Sequence, residues 1–238
     1  MEIEDGRAWA LDTFGADGVR VREQIPAILR DCHEKLANAQ MEAEMKHAGV
    51  YGQIWRKAPD EFYAVLGKLP SAEIVKVRGY KLVAFNGTIL FPWRFAREST
   101  TDVESRPFAT SGGRISLFAQ DVEPLVQPRL DIEFEHPELT EAELEHLSAE
   151  SEALRETLSS YANVVVVAYA SNPAALHSID WGKATLGEDG YLTFEATESL
   201  LGIGSGALMD VDQVAEESFS DGPIPRPQLG VKEEGTNG

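Results

Sequence analysis

The eleven residues KLVAFNGTILF (81–91) restrict the fold of this chain more than any other stretch. Asn-Gly between two runs of β-formers is the strongest short-range hairpin signal, because both residues accept the positive φ of a type I′ turn. The flanking runs are apolar at nearly every position, where a half-buried strand would alternate. Each should therefore be a central strand, covered on both faces. The pattern predicts strands over 80–85 and 88–93, with a third just before them at 73–78.

The run NVVVVAYA (163–170) reads as a fully buried strand for the same reason. A turn at Ser171-Asn172-Pro173 should lead to two more strands, 178–186 and 191–199, joined through Gly187-Glu188-Asp189-Gly190. In RLDIEFEH (129–136), Leu130, Ile132 and Phe134 alternate with Asp131, Glu133 and Glu135, the pattern of a strand with one wet face.

Helical periodicity is clearest from 25 to 48, where Ile25, Ile28, Leu29, Cys32, Leu36, Ala39 and Ala43 form one apolar stripe. Proline suits only the first turn of a helix, so this helix is expected to begin near Pro26 and to stop at Gly49. A short helix is expected from Pro59, with Asp60 and Glu61 near the positive end of its dipole. Thr140 and Glu143 form a capping box, with Leu139 and Leu144 as its staple, opening a helix that should reach Tyr161. Residues 98–113 read as loop. Gly202, Gly204 and Gly206 mark a break, after which 207–219 could form a short amphipathic helix before a polar, proline-containing end.

The expected fold is α+β: one domain over 1–203, with a mixed or antiparallel sheet of about six strands and two principal helices, then a flexible acidic tail over 204–238. A chain of 238 residues, 43% hydrophobic and 26% charged, can bury such a core. No run nears the roughly 18 apolar residues of a membrane span. The acidic opening MEIEDGRAWA does not resemble a secretory signal. Cys32, the single cysteine, excludes an internal disulfide and suits a reducing cytoplasm. Its place in the apolar stripe marks it as a core residue.

Several chemistries can be weighed against the residues. Pro59-Asp60 and Glu73-Ile74-Val75-Lys76 partly match the PD-(D/E)xK pattern of metal-dependent nucleases. That pattern needs its acid and lysine two apart on one strand face, whereas Glu73 and Lys76 are three apart and point to opposite faces. The pairs Glu44/His47 and Glu143/His146 have metal-ligand spacing on a helix, but they are equally at home on a solvated face. Ser171, His177 and Asp180 lie close in sequence, yet a triad is defined by spatial geometry. No Walker A or G-x-G-x-x-G motif is present, and nothing identifies a cofactor.

Charge distribution carries the remaining signal. The chain has a net charge of −19, but residues 51–100 hold eight Lys/Arg against four Asp/Glu, so that window is +4 and the rest is −23. Arg56, Lys57, Lys76, Arg78, Lys81, Trp93, Arg94 and Arg97 interleave cations with rings, a mixture that serves anionic partners by phosphate pairing and base stacking. The same residues could instead guard strand ends and pair with acidic surfaces of this chain or of a second copy. The sequence thus suggests a cytoplasmic binding or regulatory protein for an anionic partner: nucleic acid, nucleotide or acidic protein. A metal-dependent nuclease is the alternative. Homo-oligomer formation is left open.

Overall fold

The computed structural model describes residues 2–45, 47, 49–77, 80–118, 158 and 160–204. The expected strand at 129–136, the Thr140/Glu143 capping box, the Glu143/His146 pair, Arg78 and the tail from 205 onward lie outside the described residues.

The fold is α+β. Helices α1 (Gly6–Phe14), α2 (Gly18–Glu42) and α3 (Ile54–Leu66) precede strands β1 (Glu73–Val77), β2 (Tyr80–Phe85) and β3 (Thr88–Ala96). A short helix α4 (Gly112–Ser116) and strands β4 (Asn163–Asn172), β5 (Ala175–Leu186), β6 (Leu192–Phe194) and β7 (Glu198–Ser199) complete the described elements. The sheet is mixed, in the order β1-β2-β3-β4-β5-β6, with β7 also paired to β5. Its ladders are antiparallel except for β3 with β4.

The hairpin expectation holds in detail. Asn86 has φ 49° and Gly87 φ 70°, so the turn takes the two left-handed residues that its sequence permits. Strands β2, β3 and β4 are central. Alternate residues feed two cores: Val83, Phe85, Leu90, Val165 and Val167 meet α1–α3 on one face. Leu82, Ala84, Ile89, Phe91 and Val166 meet Phe108, Ile115, Leu117 and Leu158 on the other. This two-sided burial is why the strands are apolar throughout and not at alternate positions.

Both proline-based helix starts are wrong. Helix α2 begins at Gly18, eight residues before Pro26, and α3 begins at Ile54, five before Pro59. An internal proline costs about 3 kcal/mol. Starting α2 earlier adds the fully buried Val21 to the stripe that Ile25 opens, and full burial of each such side chain returns about 1.5–3 kcal/mol. Packing therefore outweighs the lost hydrogen bond. In α3 the added first turn buries Ile54 and Ala58. The predicted stop at Gly49 is also late: α2 ends at Glu42, and Glu44 takes φ 49° just beyond it.

The segment that follows α2 is shaped by one buried side chain. Gln40 donates from Nε2 to the carbonyls of Met45 and His47, and its Oε1 accepts from the backbone N–H groups of Val50 and Tyr51. With all its polar capacity used inside the fold, Gln40 ties the connection to α2 and fixes a 3-10 turn at Tyr51–Gln53.

Candidate anion-binding site

In open sheets, ligands gather outside the carboxyl ends of parallel strands. Strands β3 and β4 present such a pair of ends, and the backbone is irregular at both. Arg94 pairs with Tyr169 and Ala96 with Ala170, which leaves Phe95 as an extra residue. Ala170 pairs with Ser178 and Ser171 with Leu176, which leaves His177 extra. Bulges of this kind end regular pairing and re-aim side chains.

Arg94 is half-buried between these strand ends and the helices. Its Nε donates to the Ser171 carbonyl at 3.2 Å, and Nη2 donates to the same oxygen. Its guanidinium carbon stands 5.3 Å from the centre of the Tyr51 ring. Burial works against the charge of Arg94, while the neighbouring Tyr51 and Tyr169 phenols favour it. A cation so placed is held in one orientation before any ligand arrives.

Tyr51 is fixed in turn from the helix side. Its hydroxyl lies 2.7 Å from His33 Nδ1 on α2. Burial raises the Tyr51 phenol and lowers the His33 imidazole, which favours the neutral form of both, and the imidazole tautomer sets which of the two donates. The Ser171 hydroxyl lies close enough to favour ionisation of Tyr51. The fully buried Ser171 Oγ nevertheless has no partner of hydrogen-bond geometry.

From Arg94 the surface opens into a cleft of about 390 Å³, lined also by Phe95, Arg97, Glu98, Thr101 and Arg106. Arg97 and Arg106 are exposed and form no ion pair with the described residues. Glu98 is the one carboxylate in the lining. Outside the lining, Asp102 accepts from the Glu104 N–H and Glu104 accepts from the Phe194 N–H.

The described residues expected to form one basic-aromatic surface are dispersed, and among them only Arg94 and Arg97 share the cleft. Trp93 is 3% exposed and packs its ring against Phe108 at 5.0 Å, on the sheet face opposite Tyr51. Lys76 and Lys81 are exposed and directly opposed across β1 and β2, with Lys81 over the Tyr63 ring. On α3, Lys57 pairs with Glu61 at 2.7 Å and Arg56 covers the exposed Trp55.

Other sequence candidates are not assembled. His177 Nε2 meets Asn172 Nδ2 at 2.9 Å, and the half-buried Asp180 is engaged by the hydroxyls of Ser178 and Ser199, so no Ser-His-Asp relay exists. Asp60 is exposed on α3, and Glu73 meets the Tyr161 hydroxyl at the sheet edge. Among the described residues no group of three or more His, Cys, Asp or Glu could hold a metal ion. No described helix is long and apolar enough to cross a membrane.

Sequence reasoning missed Arg106, Tyr169 and His33. Arg106 sits in the stretch read as loop, beyond the cationic window. Tyr169 sits in a run read as a buried strand, and His33 sits on the expected helix beside, not in, its apolar stripe. No local spacing links any of them to Arg94. No family model matches the sequence, and no curated protein or solved structure matches it either.

Proposed function

We propose that this is a cytoplasmic binding protein for a small anionic ligand, taken up in the cleft at the carboxyl ends of β3 and β4. One observation carries the reading: Arg94, Arg97 and Arg106 line a single cleft with one opposing carboxylate, Glu98, in a chain of net charge −19. Arg97 disfavours the charge of Arg94, and an anion in the cleft would remove that repulsion. The size of the cleft falls within the range of small-molecule sites. An extended nucleic acid is a weaker candidate, because Lys76, Lys81, Arg56 and Lys57 do not continue the cleft as one track.

The test is thermal melting at low and high salt with inorganic phosphate, pyrophosphate and a short single-stranded oligonucleotide. A ligand at 100 times its dissociation constant should stabilise the fold by about 2.7 kcal/mol. Stabilisation by the small anions that vanishes in Arg97→Glu/Arg106→Glu supports the reading; no shift with any anion removes it. The nuclease alternative is separated by incubating the protein with DNA and RNA, with and without Mg²⁺ or Mn²⁺. It is the weaker reading because Asp60 stands on α3 while Glu73 and Lys76, three apart on β1, point to opposite faces of the strand.

A further inference from the structure

We infer that the cleft is built for a phosphate monoester dianion carried on a small metabolite, in preference to a carboxylate or a singly charged ester. This rests on the anion-binding reading above and specifies the ligand's chemistry.

Charge balance is the first argument. Three guanidiniums against the Glu98 carboxylate leave two positive charges in the lining without a counterpart. A phosphate monoester carries about −1.5 to −2 at pH 7 and neutralises them. A monocarboxylate or a sulfate ester leaves one charge standing. Anions of higher charge gain nothing further in the cleft and meet the repulsion of a chain whose net charge is −19.

Geometry is the second. Guanidinium forks match the paired oxygens of a phosphate and grip them through two parallel N–H donors. Arg94 is already oriented by the Ser171 carbonyl and the Tyr51 ring. That leaves Nη1 without a described partner. Arg97 and Arg106 are exposed in the lining of the same cleft and form no ion pair with the described residues, so their guanidiniums can pair with the anion. The rest of the lining suits the organic part of such a metabolite: the Phe95 ring is apolar, while Thr101 and Glu98 can bond to hydroxyls. The lining offers no apolar pocket of the kind that would seat a long hydrocarbon.

The deciding experiment is calorimetric titration of the full chain at pH 7.5 and low salt with ribose 5-phosphate, adenosine monophosphate, a sulfate ester of matched size, succinate and a phosphoserine peptide. At least one small phosphate monoester should bind about tenfold or more tightly than both the sulfate ester and succinate. Arg106→Gln, at an exposed position outside the packed core, should remove most of that preference with the melting temperature unchanged. Equal or tighter binding of succinate or the sulfate ester overturns the phosphate assignment and leaves anion binding standing. Tighter binding of the phosphoserine peptide than of either metabolite overturns the small-molecule assignment. Binding of none of the probes overturns both this inference and the reading on which it rests, and retention of the full preference in Arg106→Gln overturns the role given to that residue.

Discussion

The guanidinium of Arg94 lies over the ring of Tyr51, 5.3 Å from its centre, while the Tyr51 hydroxyl is engaged 2.7 Å away by His33. A residue at the end of a β-strand is thereby tied to a helix 61 positions earlier in sequence, as the residue numbers give. The contact also separates two kinds of arginine at the cleft, one built into the fold and two that are not.

That difference is measurable. Arg94→Ala should destabilise the protein by about 1.5–3 kcal/mol, because the Ser171 carbonyl loses a charged donor in a buried setting. Arg97→Ala and Arg106→Ala should change stability by no more than about 0.5 kcal/mol, as expected for surface positions. All three should weaken anion binding. Denaturant melts of the three variants check the contrast, and equal stability losses would mean that Arg94 is not anchored as described.

Trp93 provides the opposite case. Its ring packs against Phe108 and Phe95 in the second core, so Trp93→Ala should cost about 3–5 kcal/mol of stability. Anion affinity of the fraction that remains folded should be unchanged. A variant that melts normally but binds poorly would place Trp93 at the ligand.

Gly87→Val should destabilise by about 1–3 kcal/mol through backbone strain alone. Gly87 has φ +70°, and a Cβ there would meet no atom within 4 Å, so the penalty is conformational. Chemical denaturation of the variant gives the number. An unchanged midpoint would mean that the turn tolerates a β-branched residue.

Cys32 sets an alkaline limit. Burial pushes its thiol from 9.0 up to about 12. Above pH 9 the unfolded chain releases this proton while the folded chain keeps it, so stability falls as pH rises toward 12. One such proton contributes a slope of about 1.4 kcal/mol per pH unit. Tyr51 and Tyr169, also raised by burial, add slopes of the same sign. Cys32→Ala should therefore flatten the decline of stability with pH by about one proton without abolishing it. Urea melts between pH 8 and 11 on both proteins test this, and parallel curves would show that the thiol ionises freely in the fold.

The sequence by itself determined the local geometry of this protein. Asn86-Gly87 dictated its turn because only residues tolerant of positive φ fit there, and the uninterrupted apolar runs of β2, β3 and β4 announced strands covered twice. Those signals are short-range and survive in any context. The helix boundaries were decided by tertiary structure: Val21, Ile25 and Ile54 gain more from burial than Pro26 and Pro59 cost, and that gain exists only once the sheet is there to pack against. The candidate site belongs to the same category. Arg94 and Arg97 were visible as cations, but Trp93 between Phe91 and Phe95 could be assigned to a face only after the pleat sent it away from Arg94. Ser171 met Arg94 only when β3 and β4 came to lie parallel, His33 joins through Tyr51, and Arg106 reaches the same cleft from a loop; their sequence separations leave no periodicity to read. A hydrogen bond or a shared cleft between distant residues depends on where the chain crosses itself, and the packing of the whole core decides that.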